Sequence, residues 1–137
     1  MTVVPTDSLE TILALAAAYA RASRALDLAG LSFAEIRLLG ALVPTQTGRR
    51  PTELANDLHL TPSGVTRALL PLEKRGIIER RPDPGDARAS LARLTPAGRT
   101  LILEALEHAG ERAARLVRRL SVGQTKQLAR LLEEIDR

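Results

Sequence analysis

The sequence predicts a mainly α-helical (α+β) protein: short helices and one β-hairpin in the middle, with longer helices at both ends. Apolar residues recur at three- and four-residue spacing along most of the chain. Helix-start signals stand between those stretches: Ser32 with Glu35, Pro51, Thr61-Pro62, Thr95-Pro96, and Ser121 with Gln124. A single stretch, Ile77–Leu94, reads as two strands about the turn Pro82-Asp83-Pro84-Gly85-Asp86.

Composition narrows the class further. The 137 residues suit one domain, or one module plus an association element. Hydrophobic residues make up 45% but aromatics only 1%, Tyr19 and Phe33, so the core must be built from Leu, Ile, Val and Ala along helix seams. With 20 Lys+Arg against 16 Asp+Glu, the net +4 is compatible with nucleic-acid binding without requiring it. The lack of Cys removes disulfides, thiol redox sensing and thiolate metal sites. No apolar run approaches ~18 residues and no secretion pattern opens the chain, so a cytoplasmic protein with no membrane partner is expected.

Asp7 with Glu10 resembles a reciprocal cap, and a helix is expected from there to about Leu28. Its apolar side holds Leu9, Ile12, Leu13, Ala16, Tyr19, Ala20 and Leu26; the alanines permit the close approach that an association surface needs. Gly30 ends it. Ser32 with Glu35 then makes a capping box, and Leu31 against Ile36 a hydrophobic staple, for a short helix ending near Val43.

After a loop, Pro51 opens a third helix through Leu58. Beyond His59-Leu60, Thr61 caps a fourth, so the pair makes a helix-turn-helix. His59 stands where such turns often use Gly and is expected to take a left-handed backbone; with no partner at ligand spacing, it is not a metal ligand. Val65, Leu69 and Leu72 give the fourth helix a buried stripe, while Ser63, Thr66, Arg67, Leu70 and Lys74 face away. Short hydroxyls and a guanidinium on a helix held from behind suit a DNA major groove. Pro71 lies inside this helix and removes an amide bond to the Arg67 carbonyl, so a kink is expected there.

Gly76 ends the fourth helix, and the hairpin after it is a wing with Arg80, Arg81 and Arg88 gathered around it. Thr95-Pro96 starts a long helix to about Arg119, and Ser121 with Gln124 caps a last one bearing Leu128, Leu131, Leu132 and Ile135. This order divides the chain into a winged helix-turn-helix DNA-binding domain at 31–95 and a helical dimerisation region at 1–30 and 96–137.

Asp86-Ala87-Arg88 followed by Leu94-Thr95-Pro96-Ala97-Gly98, with Leu72–Arg80 closing the fourth helix and Glu53-Leu54-Ala55 opening the motif, resembles the MarR family of winged-helix transcription regulators. The resemblance covers nearly the whole chain. It implies a homodimer with interlocking terminal helices, acting as a regulator of the repressor type on an inverted-repeat operator in double-stranded DNA. It further implies a small-molecule effector bound between the two regions, as in many members, with no cofactor and no catalysis.

On this reading Ser63, Thr66 and Arg67 read the major groove, Thr61 is a further DNA-binding residue, and Arg88 enters the minor groove where narrow A·T stretches concentrate negative potential. Asp86 is expected to brace Arg88 by a charge-assisted hydrogen bond. Arg49, Arg50, Lys74 and Arg80 are candidates for phosphate contact. An effector site is placed near Tyr19, Phe33, Ile36, Arg37 and His108, although scarce aromatics and Pro71 depart from the family pattern. The alternative is a winged-helix protein-interaction module whose basic wing meets an acidic partner. An enzyme lacks support, since the two histidines are far apart and there is no Cys nucleophile or Gly-rich phosphate loop.

Overall fold

A computed structural model describes residues 6–135. The elements run α1 (Thr6–Ala25), α2 (Phe33–Gly40), α3 (Pro51–Leu58), α4 (Pro62–Lys74), β1 (Ile78–Asp83), β2 (Asp86–Leu94), α5 (Pro96–Leu116) and α6 (Val122–Glu133). Chain contacts divide them into two compact units: Asp27–His108, and the described parts of 1–26 and 109–137.

The first unit contains nearly all of the buried side chains, among them Leu31, Ile36, Leu38, Leu39, Leu42, Leu54, Val65, Leu69, Leu72, Ile78 and Ile102. Its first helix starts as its residues dictate. The Ser32 hydroxyl accepts the Glu35 amide at 3.1 Å, and the Glu35 carboxylate accepts the Ser32 amide at 2.8 Å, a complete capping box. Leu31 and Ile36 of the staple are both buried. This helix stops at Gly40, short of Val43, and Arg99 holds the turns beyond it by donating to the Val43 carbonyl at 2.9 Å and the Thr45 carbonyl at 3.1 Å.

β1 and β2 pair antiparallel from Ile78↔Leu94 to Pro82↔Ser90, with an irregularity between Pro82 and Asp83 before Asp83↔Asp86 closes the tip. The hairpin is therefore longer than its sequence suggests, because Pro82, Asp83 and Asp86 lie in strands rather than in the turn. Arg49 adds a short third edge: its amide donates to the Ala92 carbonyl at 2.9 Å, and the Ala92 amide returns a bond at 2.8 Å. Gly48 makes this approach possible, since a Cβ there would stand 2.7 Å from the Ala92 oxygen.

The junction into α5 explains Leu94-Thr95-Pro96-Ala97-Gly98. The Thr95 hydroxyl donates to the Gly76 carbonyl at 2.6 Å and accepts the Gly98 amide at 3.0 Å. Gly98 packs so tightly that a Cβ would sit 1.8 Å from the Ile77 carbonyl oxygen. Ile102 and Ala105 continue the buried side of α5 within this unit.

The second unit is different in kind. α1 begins at Thr6, so Asp7 lies in its first turn rather than at its cap, and it ends at Ala25, before Leu28. Arg112 donates to the Ala25 carbonyl at 3.1 Å, placing a cation at the C-terminal end of α1. Beyond that end, in the first unit, Leu28 and Leu31 exchange backbone bonds across Ala29 and Gly30, whose positive φ values make the tight turn. α6 has the expected capping box at Ser121 and Gln124 but no buried residue at all. Leu9, Ile12 and Leu13 on α1 and Leu128, Leu131 and Leu132 on α6 are exposed in the single chain, Leu13 by 59% and Leu131 by 57%. No helix among the described residues is long and apolar enough to cross a membrane.

Candidate nucleic-acid interface

The start of α4 is fixed by Thr61, whose hydroxyl accepts the Gly64 amide at 3.1 Å, with Pro62 in the first turn. The turn before it depends on His59, which takes φ 54 and ψ 44 as expected and lets the Leu60 amide reach the Ala55 carbonyl at 2.9 Å. Val65, Leu69 and Leu72 are fully buried and pin one face of α4. Ser63, Thr66, Arg67, Leu70 and Lys74 are exposed on the other. Pro71 does not end the helix, which continues to Lys74. Leu69 and Leu72, buried on either side of it, anchor the helix on both sides of the missing amide bond.

The wing stands beside this face. A cleft of about 380 Å³, lined by Arg50, Thr52, Thr66, Arg80 and Ser90 among others, joins the first turns of α3 and α4 to the hairpin. Arg88 is exposed on β2 with its guanidinium unpaired among the described residues. The brace expected from Asp86 takes another form: its carboxylate accepts the Arg88 backbone amide at 2.9 Å, not the guanidinium. The carboxylate is too short and too close in sequence to do more than close an Asx turn, so it fixes the strand at Arg88 and leaves the charge free.

The remaining basic candidates are already engaged. Arg49 meets Asp57 at 2.5 Å and Glu53 at 3.8 Å. Arg50 meets Asp83 at 2.5 Å. Arg80 lies 3.6 Å from Glu73 and 3.4 Å from the Ser90 hydroxyl. Arg81 and Arg93 share Glu79, at 3.1 Å and 2.6 Å. Arg93 and then Arg81 hold the Glu79 carboxyl below the usual carboxylate range. The Gly85 amide, and after it Arg50, lower Asp83 in the same way. Arg67, Lys74 and Arg88 thus remain as the unpaired cations of helix and wing among the described residues.

Sequence reasoning passed over the carboxylates Asp57, Glu73, Glu79 and Asp83. Glu73 and Asp83 could not have been found from local spacing, because each meets an arginine from another element. Glu53 lies four residues from Arg49, but Arg49 precedes α3, so the helical i,i+4 rule does not foretell this pair either.

The residues expected around an effector are not gathered by one element. Ile36 is only 3% exposed and belongs to the core. Arg37 donates to the Leu58 carbonyl at 3.2 Å, closing the C-terminal end of α3. Phe33 is half-buried and His108 exposed in the same unit, whereas Tyr19 belongs to the other. No group of His, Asp or Glu among the described residues could hold a metal ion.

Comparison with known proteins agrees with this geometry. Residues 29–89 match the model of the MarR family. No curated protein matches the chain in sequence. Among solved structures, the chain is similar to a probable transcriptional regulator from Pseudomonas aeruginosa, with 28% identity, TM-score 0.80, and 88% of this chain and 92% of that one covered. It is similar to the transcriptional repressor CouR bound to a 23-mer DNA duplex, with 27% identity, TM-score 0.83, and 99% and 100% covered. The fold is also that of Sco3205, a MarR family transcriptional regulator from Streptomyces coelicolor solved in complex with DNA, at 24% identity and TM-score 0.86 over 97% and 88% of the two chains.

Proposed function

We propose, from the match of residues 29–89 to the model of the MarR family, that this chain is a sequence-specific DNA-binding transcriptional regulator of the repressor type. It acts in the cytoplasm as a homodimer on an inverted-repeat operator, and no catalytic step is part of its work. The observation that carries the reading is the two-sided build of α4: Val65, Leu69 and Leu72 are sealed behind it, and Ser63, Thr66 and Arg67 stand clear in front. Such a helix presents a donor set suited to base edges, arginine pairing best with guanine. Arg88 serves the minor groove, and Lys74 the phosphates.

The dimer follows from the second unit. An α6 without a single buried side chain has no reason to fold as an amphipathic helix unless another surface covers it. A second copy supplies that surface symmetrically and sets two α4 helices against half-sites ~34–36 Å apart. Sequencing of duplexes captured by the purified protein from random DNA tests both points. An inverted repeat with that spacing is expected, and recovery of unrelated sequences would refute the reading.

One observation favours a second reading, a protein-interaction module. Arg49, Arg50 and Arg80 are each matched by a carboxylate of the chain itself, which lowers the net pull on a polyanion. Binding to duplex DNA that is weak and equal on all sequences would mark that outcome.

A further inference from the structure

The outward face of α4 holds one side chain that neither the fold nor a phosphate needs. Leu70 is 48% exposed, one helical turn beyond Thr66 and three residues beyond Arg67, in the middle of the polar stripe. Its neighbours Leu69 and Leu72 are fully buried, so the inner face is already complete without it. A lone exposed leucine is ordinary on a protein surface. This one lies on the strip that would face the major groove, between Arg67 and Lys74, both unpaired among the described residues.

The only apolar group that the major-groove edge of B-DNA offers is the thymine 5-methyl. We propose that Leu70 is a specificity-determining residue that packs on a thymine methyl, so that each half-site carries a preferred T beside the base pair read by Arg67. The inference rests on the DNA-binding reading and adds one base preference to it. The buried Leu69 and Leu72 fix the helix backbone on either side of Leu70, so its side chain stays on the outward face. Thr66, whose own methyl lies on the same face one turn earlier, extends the apolar strip toward the N-terminal end of α4.

The test uses the full-length protein and the consensus duplex selected from random DNA. Deoxyuridine, which lacks the methyl, replaces each thymine of the half-site in turn, and binding is measured for the wild type, for Leu70→Ala and for Leu103→Ala. Leu103 has the same 48% exposure but lies on α5. At one thymine position the wild type and Leu103→Ala should lose about fourfold in affinity per half-site, the worth of roughly one buried methyl. Leu70→Ala should bind the thymine duplex more weakly and show no further loss with deoxyuridine there. Equal responses of wild type and Leu70→Ala at every thymine would overturn the assignment while leaving DNA binding intact. A selection that yields no consensus would refute the DNA-binding reading, and this inference with it.

Discussion

The pairing of basic residues around the wing makes a quantitative statement about salt. Each phosphate neutralised on duplex DNA contributes about −0.9 to the slope of log K against log salt. If only the unpaired Arg67, Lys74 and Arg88 of each copy meet phosphate or groove, a dimer neutralises about six charges and the slope is about −5. If Arg49, Arg50 and Arg80 abandon their carboxylates to join them, the number doubles and the slope approaches about −11. Between 50 and 200 mM salt these cases differ by roughly a thousandfold loss of affinity against more than a millionfold. Fluorescence anisotropy on the selected operator separates them. The companion variant Glu53→Gln/Asp57→Asn removes both partners of Arg49. It should steepen the slope by about two in the dimer, one new contact per copy. A wild-type slope near −11, or a variant slope identical to the wild type, would refute the argument that internal ion pairs withhold these arginines from DNA.

Four other outcomes are expected. Arg67→Ala should cost ~1–3 kcal/mol at the operator and almost nothing on random duplex, a contrast read from paired titrations. Leu131→Glu with Leu132→Glu, both exposed on α6, should shift the protein to monomers in analytical ultracentrifugation and abolish operator binding. Gly98→Ala places a methyl 1.8 Å from the Ile77 carbonyl, so α5 must move; a loss of ~2 kcal/mol or more, with a lower midpoint in thermal denaturation, is expected. Asp83 has a carboxyl pKa lowered by the Gly85 amide and Arg50, so its contribution to stability is complete above the ordinary Asp range and is lost as pH falls through its depressed folded value. Asp83→Asn should therefore flatten the acid limb of a stability–pH curve measured by denaturant melts.

What could be read in the sequence was mostly local. Caps at Ser32, Thr61 and Ser121 depend on residues three apart, and the structure has all of them. The left-handed His59 was legible for a similar reason, because it stands where such turns often use Gly. Local rules misplaced boundaries where an element is fixed from a distance. Asp83 and Asp86 look like turn residues, yet β1 and β2 extend through them because Arg50 and the Gly85 and Arg88 amides satisfy their carboxylates. The outward presentation of Arg67 followed directly from helical periodicity. The engagement of Arg50 and Arg80 did not, since their partners arrive from other elements, 33 residues away for Arg50.

The double backbone bond between Arg49 and Ala92 bears on which molecule bends. It stitches the segment leading into α3 to the foot of the hairpin, so the lower half of the wing belongs to the same stiff plate as the helices. The Arg50–Asp83 ion pair ties the upper wing to the same plate, so play is left chiefly at Pro84 and Gly85, beyond Arg88. A duplex whose grooves do not already match the distance from α4 to Arg88 must itself supply the distortion. Flanking steps that never touch the protein then influence occupancy through how easily they yield, soft pyrimidine–purine steps being favoured over stiff tracts.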